Sequence, residues 1–268
     1  MSTQLITSTH NAHVKQAAHL RERRQREKQG RILIEGAREL ARAVTGGVEF
    51  IEAFVCEPLA VSADAHLAIE RLRESAARWF AVTPPVFAKL AFGERAEGVI
   101  GVAHTPRRTL AQLTLPEPPL LAVVEDIEKP GNLGAMLRTA AAAGVSALIA
   151  VGRGTDLYNP NVIRASLGTV FSLPVCVAET QETLDFLRRR SFGIYAARVD
   201  AATLYTAADF RGPSAIVLGS ESAGLSSVWR AGDVTPIRLP MRGAPDSLNV
   251  SAAAAVLFYE ALRQRHDS

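Results

Sequence analysis

No apolar run in the chain approaches the roughly 20 residues that a membrane-spanning helix needs. The amino terminus, MSTQLITSTHNAH, lacks the basic-then-apolar pattern of an export signal. A soluble, cytoplasmic protein is expected, with no membrane partner. Only two cysteines are present, Cys56 and Cys176. They cannot form a disulfide framework, or a structural zinc site by themselves, and their apolar strand contexts mark them as core. Glycine-rich nucleotide signatures are missing or broken. The Gly219–Ser226 loop has no following Gly-Lys-Ser/Thr and is not a GxSxG elbow, while Gly152-Arg153-Gly154 lacks the third glycine of GxGxxG. The last absence counts against a nucleotide-dependent dehydrogenase. No Ser/His/Asp arrangement stands out. His19, His66, His104 and His266 are scattered, and His10 and His13 fall in a terminus expected to be mobile, so no metal site is expected. Internal repeats and low-complexity blocks are also absent.

What is present describes a globular protein. The 268 residues are 48% hydrophobic and 21% charged, enough for one large or two ordinary domains. Net charge is only +3, yet Lys15, Arg21, Arg23, Arg24, Arg26, Lys28 and Arg31 face only Glu22 and Glu27 within 17 residues. Such a stretch can neutralise phosphates by releasing counterions. It also reads equally well as a solvated helix face with internal ion pairs.

Hydrophobic patterning divides the chain. Residues 1–105 alternate strands (Ile32–Ile34, Phe50–Cys56, Arg78–Val82, Gly98–Ala103) with helices (Ala37–Val44, Ala63–Ala77, and one opened by Pro84-Pro85). That alternation predicts a small α/β sandwich. Four prolines in 104–119 mark a linker around 106–119. Residues 120–268 again alternate, beginning with LLAVVE, a continuous apolar run suited to a strand buried on both faces of a parallel sheet. Strands are expected at 146–151, 174–177, 192–196, 214–219 and 235–240. Helices are expected at Asn132–Ala143, Glu179–Arg190 and Leu248–Arg265.

Three loops in the second half follow predicted strands, where open parallel sheets bind ligands. The first, EDIEKPGNLGAMLRT (125–139), offers Asn132 as a helix N-cap and Arg138 six residues on; a capped helix with one surface arginine would look the same. The second, LGSESAGLS (218–226), suits a phosphate or cofactor cradle, or an ordinary strand-to-helix turn with Glu221 in the first helical turn. The third, LPMRGAPDSLNVS (239–251), places Ser247 and Asn249 around Leu248. Ser247 could be an N-cap alone, but an asparagine at an apolar helix start needs partners for its amide.

Taken together, in this order and spacing, these loops resemble the SpoU (TrmH-like) family of RNA 2′-O-ribose methyltransferases. VIRASLGTVFSLPV (162–175) is similar to the family's middle segment, and ILIEGAREL with EGVIGVA resembles its L30e-like substrate-binding domain. The resemblance implies an L30e-like α/β sandwich at 1–105, a linker at 106–119, and a parallel-sheet α/β methyltransferase domain at 120–268 with a deep trefoil knot. Hydrophobic period predicts no knot, and threading is generally avoided. By position, the resemblance implies catalytic roles for Asn132, Arg138, Glu221, Ser247 and Asn249. It implies an S-adenosylmethionine pocket of Leu218, Gly219, Ile237, Leu239, Met241, Leu248 and Val250. Arg23, Arg24, Arg26, Lys28, Arg138 and Arg164 are the candidate RNA contacts. A guanidinium is a poor proton acceptor, so Arg138 is expected to hold the phosphate beside the 2′-hydroxyl and orient it. The expected substrate is structured ribosomal RNA, with transfer RNA or a catalytically inactive RNA-binding role as alternatives. The expected assembly is a homodimer through the knot region and last helix. Two loops depart from the family: in the second, Ser222 stands where glycine is commoner, and in the third, Arg242 and Asp246 occupy variable sites.

Overall fold

A computed structural model describes residues 4–93, 97–243 and 246–266. The chain forms two compact units, Met1–Pro106 with Tyr158–Ser172, and Arg107–Leu157 with Leu173–Ser268.

The first unit runs β1 (Gln4–Ile6), α1 (Ala12–His19), α2 (Arg23–Gln29), β2 (Arg31–Glu35), α3 (Ala37–Thr45), β3 (Phe50–Val55), α4 (Ala63–Ser75), β4 (Arg78–Val82), α5 (Pro84–Leu90) and β5 (Val99–His104). Its mixed sheet has the order β1-β4-β3-β5-β2. One core packs Val14, Leu20, Leu33, Phe54, Phe80, Phe87 and Leu90. Residues 4–19 are therefore packed rather than mobile: β1 pairs with β4, and α1 packs on α5. His13 explains part of this order. Its Nδ1 lies 2.8 Å from Glu52 Oε1, and its ring lies 4.8 Å from that of Phe80.

The second unit continues with β6 (Leu120–Glu125), α6 (Pro130–Ala142) and β7 (Ala147–Val151). The chain then enters the first unit through α7 (Pro160–Ala165), which packs on β2. It returns as β8 (Val175–Ala178), α8 (Thr180–Arg189), β9 (Gly193–Ala197), β10 (Thr203–Leu204), β11 (Ser214–Leu218), β12 (Val234–Arg238) and α9 (Val250–His266). All seven strands are parallel, in the order β10-β12-β9-β11-β6-β7-β8. Every residue of β6, β7 and β11 is buried, as continuous apolar runs require in a sheet covered on both faces.

Three local differences from the sequence reading have simple causes. Helix α6 starts at Pro130, not Asn132, because proline at the first helical position presets φ and has no amide to leave unpaired. Lys129 is then the N-cap, and Asn132 sits in the first turn. The segment after β11 forms a turn closed by Gly224 N donating to Ser220 O at 3.0 Å, with Gly224 at φ 67°, so Glu221 lies on a turn rather than a helix. Within the proline-rich stretch, Leu110 and Leu113 are buried in the second unit's core and anchor it there.

Candidate functional site

The register of the parallel strands aligns their carboxyl ends. Leu218 of β11 lies beside Val124 of β6, and Ile237 of β12 beside Ala197 of β9. The segments leaving β9, β11 and β12, with the start of α9, enclose a cavity of about 830 Å³. This is the sheet edge at which parallel α/β folds bind ligands. Leu218, Gly219, Ile237, Leu239, Met241, Leu248 and Val250 all line it, as do Glu221 and Ser247. Gly219 is required by packing: a Cβ there would collide with the Gly224 carbonyl on the opposite limb of the loop. The lining sets aliphatic side chains beside the charged groups of Arg198, Asp200, Glu221, Arg230, Arg238 and Asp246, suited to a ligand with a flat apolar part and charged groups.

Beside this cavity lies a polar cluster. Asn132 Nδ2 donates to Glu221 Oε1 at 2.9 Å, and Asn249 Nδ2 donates to the same oxygen at 2.7 Å. Asn249 Nδ2 also reaches Asn132 Oδ1 at 3.1 Å. Lys129 Nζ pairs with the other carboxylate oxygen, Oε2. The Lys129 ammonium, followed by the Asn132 amide, holds the Glu221 carboxyl below the usual glutamate range. Asn249 caps the start of α9: its Oδ1 accepts from Ser251 N at 3.0 Å and from Ser251 Oγ at 2.6 Å. Residues from three separate loops thus meet at one carboxylate.

The other expected site residues fall elsewhere. Ser247 is exposed on the cavity wall. Arg138 is exposed on α6, outside the cavity lining, and makes no hydrogen bond or ion pair among the described residues. Its guanidinium is available to a ligand.

The basic stretch needs a correction. Arg26 is only 4% exposed, and its Nη1 donates to Leu20 O at 2.8 Å and Arg21 O at 2.7 Å. It satisfies the last carbonyls around α1 and is not a surface cation. Arg21 is likewise bound, through Nη2, to the carbonyls of Lys89, Leu90 and Ala91 at the end of α5. Arg23 pairs with Glu27 at 2.8 Å. Arg24 and Lys28, one turn apart on α2, remain exposed. Arg164, on α7, is half-buried with its guanidinium 5.8 Å from the Phe92 ring centre.

Three features escaped the sequence reading. Lys129 precedes the helix and carries no signature of its own. Glu125, the last residue of β6, is 4% exposed and accepts from Ser226 N at 2.7 Å, Ser226 Oγ at 2.9 Å and Thr180 Oγ1 at 3.2 Å. A carboxylate ending an all-apolar strand was the available signal. Arg198 and Asp200 follow β9, form a bidentate pair at 2.9 and 2.6 Å, and line the cavity. The Arg198 guanidinium holds the Asp200 carboxyl below its usual range. Their position beyond a strand's carboxyl end was the signal there. Among the described residues no group of three His, Cys, Asp or Glu side chains could hold a metal, and no helix is long and apolar enough to cross a membrane.

Comparisons with known proteins agree on one family. The SpoU rRNA Methylase family matches residues 119–259, and the MRM3-like substrate binding domain matches residues 11–101. A 23S rRNA (uridine(2479)-2′-O)-methyltransferase of Streptomyces viridochromogenes is 32% identical over 97% of this chain and 92% of its own. A crystal structure of an RNA 2′-O ribose methyltransferase is 41% identical, with a TM-score of 0.83 over 98% of this chain and 100% of its own. The SpoU methyltransferase AviRb from S. viridochromogenes, solved with AdoMet, is 28% identical, with a TM-score of 0.86 over 96% of this chain and 99% of its own.

Proposed function

The chain belongs to the SpoU family of RNA methyltransferases, and from that membership we propose its substrate, its assembly and the roles of its residues. It is an S-adenosylmethionine-dependent enzyme that transfers a methyl group to a ribose 2′-hydroxyl of RNA. The residues present fit this cofactor. The cavity of about 830 Å³ is large enough, its walls combine aliphatic side chains with charged and hydroxyl groups, and Gly219 lets the two limbs of the loop wall pack together where a Cβ would strike the Gly224 carbonyl. Leu218, Gly219, Ile237, Leu239, Met241, Leu248 and Val250 would hold the adenosine part. When bound, S-adenosylmethionine supplies an activated sulfonium methyl.

The remaining work falls to the chain. A ribose hydroxyl is a weak nucleophile, so it must be aligned and must lose a proton. Arg138 holds the adjacent phosphate and orients the hydroxyl, and the proton leaves late or to water. Asn132, Glu221 and Asn249 fix the three loops relative to each other, and Ser247 orders the third. The observation that carries this reading is a convergence: Glu221, on the cavity wall, receives Lys129, Asn132 and Asn249 from the segments that follow β6 and β12. This intact set also disfavours an inactive RNA-binding role.

The substrate is proposed to be ribosomal rather than transfer RNA, in the cytoplasm. The support is the full-length similarity to a 23S rRNA methyltransferase and the substrate-binding domain at residues 11–101. Arg24 and Lys28 are the proposed phosphate contacts of that domain, and Arg164 on α7 is a further candidate in the first unit. The assembly is proposed to be a homodimer. Ala252, Val256 and Tyr259 form an exposed stripe on α9, with Val256 39% and Tyr259 50% exposed, and a second copy of this surface would cover it. Sedimentation should give about twice the chain mass, and Val256→Glu with Tyr259→Glu should give a monomer. The trefoil knot is proposed on family grounds; a chain trace in experimental density would test it.

Calorimetry with S-adenosylmethionine tests the enzyme reading directly. Methylation of purified ribosomal and transfer RNA with labelled cofactor, then mapping of reverse-transcription stops, tests the substrate. Label entering transfer RNA alone would overturn the ribosomal assignment.

A further inference from the structure

The cluster at Glu221 contains one residue whose role is still open. Lys129 is the N-cap of α6, where the helix dipole disfavours a cation. The unfavourable placement is offset only if an anion sits beside it, and Glu221 does. The geometry is also asymmetric. Both amides, from Asn132 and Asn249, donate to Glu221 Oε1, while the Lys129 ammonium takes Oε2, and the backbone N–H of Val250 also favours the carboxylate. The terminal torsion of a glutamate is soft, so without a cation the carboxylate is held by neutral donors alone. A cation on Oε2 pins it and makes both amide bonds persist together.

We propose that Lys129 is a positioning residue for methyl transfer: its ammonium pins the Glu221 carboxylate against Asn132 and Asn249, and through that contact shapes the Gly219–Leu225 wall of the cofactor cavity. Glu221 lies on that wall, whereas Lys129 does not line it. Lys129 therefore influences the cofactor only through Glu221. Because it acts on the wall, its loss weakens cofactor binding even without RNA. The proposal rests on the cavity being the S-adenosylmethionine site.

The pair is solvent-accessible, with the Lys129 side chain 72% exposed, so the expected effect is modest. The test uses the full chain with Lys129→Met, Lys129→Arg, Glu221→Gln and the double variant Lys129→Met/Glu221→Gln. Cofactor affinity is measured by calorimetry without RNA, and RNA affinity by filter binding with transcribed 23S ribosomal RNA. Lys129→Met should weaken S-adenosylmethionine binding by about threefold to fivefold, and Lys129→Arg should restore most of it. In the Glu221→Gln background, Lys129→Met should cost almost nothing further, since its partner charge is gone. Losses that multiply in the double variant would overturn the proposal, as would unchanged cofactor affinity in Lys129→Met. A selective loss of RNA affinity with cofactor binding intact would make Lys129 a phosphate contact instead. Failure of the unaltered chain to bind S-adenosylmethionine would instead refute the reading of the cavity.

Discussion

Replacing Glu125 by alanine tests whether one buried carboxylate ties the cavity wall to the sheet. Glu125 ends β6 at 4% exposure and receives three hydrogen bonds, two from Ser226 and one from Thr180. Bonds to a charged acceptor each contribute roughly 1.5–3 kcal/mol, and a stranded donor costs up to about 3 kcal/mol. Both hydroxyls can rotate to water, and Ser226 itself is exposed, so most of the loss reduces to the Ser226 amide and the emptied space. The expected destabilisation is about 2 kcal/mol. For a unit of this size that corresponds to a fall in Tm of roughly 4–8 °C. Glu125→Gln should cost about half as much, because an amide oxygen can still face the Ser226 N–H while its NH₂ faces the hydroxyls. Scanning calorimetry gives the Tm values, and titration with S-adenosylmethionine gives the effect on binding. Ser226 closes the far end of the loop that forms the cavity wall, so affinity should fall with stability. A Tm within about 1 °C of the unaltered chain in Glu125→Ala would refute the account.

Arg138→Ala should abolish methyl transfer in a labelled-cofactor assay while calorimetric cofactor affinity stays within about twofold, because Arg138 lies outside the cavity lining. Gly219→Ala should eliminate detectable cofactor binding, since its Cβ would displace the Gly224 limb of the loop. Arg24→Glu with Lys28→Glu should weaken RNA binding and flatten its dependence on salt, and an unchanged slope in filter binding would return α2 to a plain solvated helix. Arg26→Ala should instead lower Tm, because its carbonyl partners lose a buried charged donor. Burial pushes the Cys176 thiol up to about 12, so an alkylating reagent at pH 8 should leave Cys176 intact by mass spectrometry until the protein unfolds.

Strands with continuous apolar runs were legible in the sequence. LLAVVE was placed residue for residue, and Arg78–Val82 likewise. The cavity-lining positions were implied by the family resemblance, and hydrophobic pattern placed only the strands that lead to those loops. What escaped notice depends on partners distant in the chain. The segment of α1 and α2 read as a mobile terminus followed by a basic stretch or solvated helix face because its stabilising contacts, His13 with Glu52 and Arg21 with the end of α5, span 39 residues or more. Arg26 resembled its neighbours in composition, and only packing distinguishes a buried guanidinium from exposed ones. Lys129 stayed hidden because its partner lies 92 residues away on another loop.

The excursion of the chain at Tyr158–Ser172 has a consequence for how this protein can be taken apart. Arg42 Nη1 donates to Leu167 O at 2.5 Å, α7 packs on β2, and a side chain at Gly46 or Gly168 would collide with this segment or with Glu39. The first unit is therefore completed by residues encoded inside the second. Severing the proline-rich stretch would not yield two fragments, because the polypeptide crosses between the units twice more, near 157 and 172. Grafting residues 1–106 onto a foreign partner would leave the graft missing a helix and part of its packing. Shuffling of the first unit among proteins should thus proceed only with its inserted segment, so its inheritance is tied to that of the second unit.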